Sequence, residues 1–154
     1  MSRLKKIILG EVRGIIDNGI EIGKIKSNTN IGVYGKVTNE DYINSVKSAE
    51  IPVASRNQIK TGKAKIMCEL ENNNVGQYEI EIKKIYRNSS SSDNKNMLIK
   101  VTDNNLLNLT GGIIPGMSGS PIIQDGKFVG AITNVLLSDP TTGYAIFADS
   151  MLLN

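Results

Sequence analysis

At 154 residues the chain has the size of one domain, enough to bury roughly two-thirds of the surface that its unfolded form exposes. A net charge of +3, from 18 Lys and Arg against 15 Asp and Glu, lacks the strong field of a nucleic-acid binder, and 5% aromatic residues with no Trp leave few platforms for stacking bases or sugars. A single cysteine, Cys68, excludes an internal disulfide, and the complete lack of histidine argues against a structural zinc site.

The basic cluster "RLKK" at Arg3 to Lys6 reads as a solvated tail, and "IILG" behind it is too short for a signal h-region or a membrane span. The chain as written therefore works in the cytoplasm, or it is a piece of a longer protein whose targeting segment lies elsewhere. No direct membrane insertion and no nucleic-acid partner are expected.

From there on, short period-two runs punctuated by Gly, Asn and Asp predict an antiparallel all-β domain. Expected strands are "EVRGII", "IEIGKIK", "IGVYGKV", "GKAKIMCEL", "GQYEIEIKKIY", "NMLIKVT", "SPIIQ", "KFVGAITNVLL" and "YAIF", enough for a barrel. Asp17-Asn18-Gly19 and Asp125-Gly126 supply the positive φ of tight hairpins, so the strands that flank each should pair directly. Cys68, in the alternation of "AKIMCEL", is expected to be a buried or half-buried small residue rather than a reactive thiol.

Two stretches interrupt the pattern: "TNEDYINSVKSAEIP" and the Ser/Asn-rich "RNSSSSDNKN", which reads as a surface loop. Neither divides the chain, so residues 1–154 are expected to form a single domain. One short helix is predicted near 103–109, in "TDNNLLNLTGG". Thr102 or Asp103 caps it, Leu106, Leu107 and Leu109 form its apolar face, and Gly111-Gly112 ends it.

That helix leads into "GGIIPGMSGSPIIQDGKFVGAIT", where glycines flank Met117-Ser118 and an apolar strand follows. A serine hydroxyl attacks only when a base takes its proton and donors hold the resulting oxyanion. The Gly116 and Ser118 amides are the candidate donors, because the glycines permit a backbone that aims both at one point. A glycine-rich β-turn with a spare serine would give the same string.

The wider context decides more. The nucleophile-loop order of strand, Asp-Gly hairpin and Gly-containing strand is that of chymotrypsin-like serine peptidases. "IKVTDNNLLNLTGGIIPGMSGSPIIQDGKFVGAIT", "DPTTGY", "RNQIKTGKAKI" and "YEIEIKKI" together resemble the peptidase domain of the SpoIVB family, the stage IV sporulation proteins B of endospore-forming bacteria, from about Glu11 to the C-terminus. The resemblance implies a chymotrypsin-like (trypsin-like) β-barrel serine endopeptidase, acting between the two membranes around the forespore. It implies a peptide or protein substrate, such as a membrane-associated sporulation regulator, and no cofactor or metal.

Carried over by position, Ser118 matches the nucleophile and Asp103 the aspartate that the family needs. For Asp103 a plain helix N-cap is the alternative, stabilising by about 1 kcal/mol without any chemistry. Met117 and Asn134 are candidate substrate-cleft positions.

Departures from the family are as informative. Its catalytic histidine lies in a "G-H-G" segment ahead of the region matched, after a membrane anchor and a PDZ domain. None of the three is found in this sequence, which implies an incomplete first barrel and an N-terminally truncated or split enzyme. Asn134 stands in "TNV" where the family reads "THV", and an amide takes no proton at neutral pH. "GVYGKV" matches a later Gly-containing strand of the family rather than its "G-H-G" segment, so Lys36 is expected to be structural, and neither Lys100 nor Lys127 shows a spacing that brings it to Ser118 as a substitute base. The chain alone is thus expected to be inactive unless another polypeptide supplies histidine; the alternative is a non-catalytic relative that binds peptide or protein.

Overall fold

Residues 62–71 alternate apolar and polar, so one face of a strand there carries Ala64, Ile66 and Cys68, all buried, while Lys63, Lys65 and Glu69 face water. The same logic recurs through the computed structural model, which describes residues 15–17, 19–29, 32–45, 51–71, 74–89 and 94–152. The RLKK cluster, Asn18 and residues 90–93 of the Ser/Asn-rich loop lie outside the described residues, as does all of the first expected strand except Ile15 and Ile16.

The chain divides into two compact units, Met1–Glu50 and Ile51–Asn154. In the first, β1 (Ile15–Asp17), β2 (Ile20–Thr29) and β3 (Gly32–Val37) form an antiparallel sheet in that order. Asp17 pairs with Ile20 across the expected hairpin, and Gly19 has φ 82°. Gly23 faces the Lys36 carbonyl so closely that a Cβ would collide with it. Lys36 itself is exposed. A helix not expected from the sequence, α1 (Glu40–Ser45), follows; the Asn39 Oδ1 accepts from the Tyr42 N–H at 2.9 Å and caps it.

The second unit is a closed antiparallel barrel. Its strands are β4 (Gly62–Glu71), β5 (Asn74–Ile85), β6 (Met97–Val101), β7 (Pro121–Gln124), β8 (Lys127–Leu136) and β9 (Asp139–Phe147), in the order β4-β5-β6-β9-β8-β7. Two residue pairs, Lys65 with Ile123 and Ile66 with Ile122, close the ring between β4 and β7. Ile66, Ile80, Ile82, Met97, Ile99, Ile122, Ile132 and Phe147 fill it, each less than 2% exposed. This is the expected all-β, chymotrypsin-like architecture.

Several local expectations hold. Asp125 (φ 49°) and Gly126 (φ 73°) form the two-residue β7–β8 hairpin, and Cys68 is buried in the core. Others need adjustment. Strand β9 begins at Asp139 rather than near Tyr144: Pro140 and Gly143 weaken the strand pattern, but the Asp139 carboxylate accepts from the Thr141 N–H and from the Thr141 and Thr142 hydroxyls and fixes the strand start. A C-terminal helix, α3 (Ala148–Leu152), packs on β8 and β9. Its Asp149 takes a two-pronged ion pair from Arg56, Nε to Oδ2 and Nη2 to Oδ1 at 3.0 Å each, with the guanidinium 5.2 Å from the Phe147 ring centre. No helix among the described residues is long and apolar enough to cross a membrane.

Candidate functional site

The predicted helix is present as α2 (Asn104–Thr110), and Asp103 rather than Thr102 is its N-cap. Asp103 Oδ1 accepts from the Asn105 and Leu106 amides at 2.9 and 3.1 Å, and Oδ2 accepts from the Glu79 amide of β5 at 3.1 Å. Partial desolvation opposes ionisation of this carboxyl, but the Glu79, Leu106 and Asn105 amides outweigh it and hold the group below the usual aspartate range. Leu106 is fully buried and Leu107 packs against the core, whereas Leu109, expected on the same face, is 53% exposed. At 100° per residue Leu106, Leu107 and Thr110 share a face and Leu109 falls outside it.

Gly111 (φ 72°) ends the helix, and its N–H donates to the Leu107 carbonyl. Gly112 lies against the Pro140 carbonyl, where no Cβ fits, and the Ile113 N–H donates to that same carbonyl at 2.8 Å. The chain is thereby delivered to the serine loop from a fixed point on β9.

Two tight turns in succession build the loop. The Met117 N–H donates to the Ile114 carbonyl at 3.1 Å, closing a turn with Pro115 second and Gly116 (φ 106°) third; the Ser120 N–H donates to the Met117 carbonyl at 3.0 Å, closing another with Ser118 second and Gly119 (φ 94°) third. A positive-φ glycine at the third position, preceded by proline in the first turn, is type II turn chemistry. Turns of this kind leave their central amides unused. The Gly119 N–H donates to the Ile132 carbonyl at 2.7 Å, but those of Gly116 and Ser118 make no hydrogen bond among the described residues.

The Ser118 side chain is exposed, and its hydroxyl donates to the Thr133 carbonyl at 2.9 Å. That carbonyl is available because β8 is bulged. Ile132 pairs with Ala145 and Asn134 with Tyr144, so Thr133 is an extra residue without a partner across the ladder. The Thr133 hydroxyl in turn donates to the Asn94 carbonyl at 2.6 Å. Thr133 is the site residue that sequence reasoning missed: period-two patterning does not register a one-residue bulge, and only its neighbour Asn134 stands out.

Asn134 is exposed on the same bulge. Met117 is 4% exposed, with its side chain in the barrel core and its sulfur accepting from the Ile114 N–H, so only its backbone faces the loop surface. No hydrogen bond joins Asp103 to Ser118, which α2 separates along the chain, and each has its own set of partners. Lys100 and Lys127 have no contact with Ser118 among the hydrogen bonds described. Neither the cavity of about 380 Å3 beside β4 and β7 nor that of about 620 Å3 beside β5 and β9 is lined by residues of this loop. No cluster of three metal-ligating side chains occurs among the described residues.

The loop thus presents an exposed serine on a double turn with two unused amides beside it, downstream of a helix whose N-cap is Asp103. A family model described as SpoIVB peptidase S55 matches residues 2–152, reaching further toward the N-terminus than the resemblance read from Glu11. No curated protein matches the chain.

Proposed function

The chain belongs to the SpoIVB peptidase S55 family and is a serine peptidase domain of that type, and from that premise we propose that Ser118 is its nucleophile and that turnover requires a histidine from outside these 154 residues. Family membership points to polypeptide substrates. In this reading residues 1–154 act as one peptidase domain, and the substrate is a membrane-associated regulator of sporulation.

The steps follow from the groups available. A histidine docked beside the loop accepts the Ser118 proton, which the hydroxyl now donates in a hydrogen bond to the Thr133 carbonyl. The Ser118 Oγ then attacks the scissile carbonyl, and the oxyanion accepts hydrogen bonds from the Gly116 and Ser118 amides. Asp103 orients the imidazole: its Oδ2 accepts a single bond, from Glu79, and retains a lone pair for an imidazole N–H. Asn134 offers its amide to the bound peptide, and Met117 contributes backbone only.

The observation that carries this reading is the pair of unused amides, Gly116 and Ser118, on the loop that exposes the Ser118 hydroxyl. With no histidine among the 154 residues, the isolated chain lacks a base. Loss of the base costs a serine-peptidase triad on the order of a millionfold in turnover, with about a thousandfold over water retained. A fluorophosphonate probe is the direct test: labelling of Ser118 rises when a histidine-bearing segment of the family is added in trans. Labelling that stays flat with every such segment rejects the nucleophile role.

A second reading is a non-catalytic relative that holds peptide in the same cleft. It is favoured by the Ser118 proton being engaged with a backbone carbonyl. Peptide binding that survives Ser118→Ala, with no labelling under any condition, would support it.

A further inference from the structure

The cavity of about 620 Å3 beside β5 and β9 is built around cations and aromatic rings, with Tyr86, Arg87, Asn88, Ser89, Lys95 and Tyr144 on its walls. We propose that it binds a carboxylate of the polypeptide held at Ser118, and so selects acidic substrates. The proposal deepens the peptidase reading above and rests on it.

Arg87 carries the argument. One of its terminal nitrogens, Nη2, donates to the buried Ile59 carbonyl at 2.7 Å, which pins the guanidinium in place. Among the described residues, none of its remaining N–H groups meets a carboxylate. A fork of donors held from one side, with no carboxylate on it among the described residues, suits a carboxylate that accepts two parallel hydrogen bonds from it. A second cation on the wall adds to the positive potential: the Lys95 ammonium lies 5.2 Å from the Tyr144 ring centre. No described lining residue is acidic.

The pocket is held in shape before any ligand arrives. Asn96, 1% exposed, accepts from the Tyr86 N–H through its carbonyl and donates its Nδ2 to the Ser89 hydroxyl at 2.7 Å. The Ser89 N–H and hydroxyl both turn back to the Tyr86 carbonyl. Preorganisation of this kind lowers the entropic cost of capturing a flexible peptide.

Its position relative to Ser118 follows from two hydrogen bonds and one strand pair. Thr133 accepts from Ser118 and donates to Asn94, the residue before Lys95. Asn134, next along β8, pairs with Tyr144 on the cavity wall. An extended peptide lying over Asn134 reaches the cavity roughly two to four residues from the scissile bond, at about 3.3 Å per residue.

The test follows backbone amide resonances of the 15N-labelled full chain during titration with three peptides: an N-acetylated, C-amidated oligoalanine carrying one glutamate, its glutamine counterpart, and an oligoalanine with a free C-terminal carboxylate. The glutamate peptide should shift Arg87, Ser89 and Tyr144 together with Gly119 and Asn134, and should bind about five- to tenfold more tightly than the glutamine peptide at low salt. Arg87→Gln should erase that preference without weakening the glutamine peptide. Saturable shifts at Arg87 with the free-carboxylate peptide would assign the pocket to a chain terminus instead of a side chain. Equal affinity of the glutamate and glutamine peptides, or a preference that survives Arg87→Gln, overturns the proposal. Shifts at Gly119 and Asn134 without any at Arg87 would overturn it while leaving the peptide cleft intact, and silence at both places would remove the cleft as well.

Discussion

The Ser118 hydroxyl donates to the Thr133 carbonyl, 2.9 Å away on a β-bulge, and to no side chain. A nucleophile whose proton rests on a carbonyl is not activated, because that oxygen is too weak a base to take the proton at neutral pH. Fluorophosphonate labelling of the isolated chain should therefore be slow and should vanish in Ser118→Ala. The same substitution removes one exposed hydrogen bond, so stability should fall by about 1 kcal/mol or less in urea titrations.

Asp103 serves the fold whatever else it does. Asp103→Ala removes the acceptor of three backbone amides and should cost about 1–2 kcal/mol, whereas Asp103→Asn keeps most of the cap. The carboxyl is held below its ordinary range, so it is depressed on folding, and its stabilisation is fully present above the unfolded value near pH 4 and lost as pH falls through the folded value. The stability gap between wild type and Asp103→Asn should be constant above about pH 5 and close below about pH 4. A gap that widens on acidification would contradict the hydrogen-bond assignment.

Glycines of the loop should separate into two kinds. Gly116 has φ 106° with open space around it, so Gly116→Ala should cost about 1–3 kcal/mol from backbone strain alone. Gly112 combines φ 142° with the Pro140 carbonyl where a Cβ would go, and Gly112→Ala should be the more damaging of the pair. Midpoints of chemical denaturation rank them directly.

Cys68 is buried and desolvation pushes its thiol pKa up, so little thiolate forms in the native state. A disulfide reagent such as Ellman's should modify it only as the barrel opens. Its rate should climb with sub-denaturing urea; a fast reaction in buffer alone would mean that the core near β4 is accessible.

Much of this was legible in the sequence where side-chain chemistry is local. Asp103 four residues ahead of Leu107, and Gly111 behind Thr110, specify both ends of α2 by capping alone. Asp125-Gly126 likewise specifies its hairpin. What escaped depends on neighbours distant in the chain. The bulge at Thr133 exists because β9 sets the register on one side of β8 and the serine loop claims the exposed carbonyl on the other. The Arg56 to Asp149 clamp spans 93 positions and has no local signature. The glycines around Met117-Ser118 mark the loop, but only the bond from the Gly119 N–H to the distant Ile132 carbonyl separates that amide from those of Gly116 and Ser118.

Two residue pairs hold the ring shut between β4 and β7, and β7 begins directly after the serine loop. A latch this short is the least costly place for the barrel to breathe, since fewer backbone hydrogen bonds must part there than along β4 with β5. Each such opening pulls Pro121 and the turn before it out of line. The site would then have a shorter lifetime than the fold that carries it, visible as faster deuterium uptake at Ile122 and Ile123 than at Ile80 and Ile82. A docking polypeptide that braced this seam would lengthen the interval during which Ser118 is correctly set, and so would act as a timer as much as a donor of a missing group.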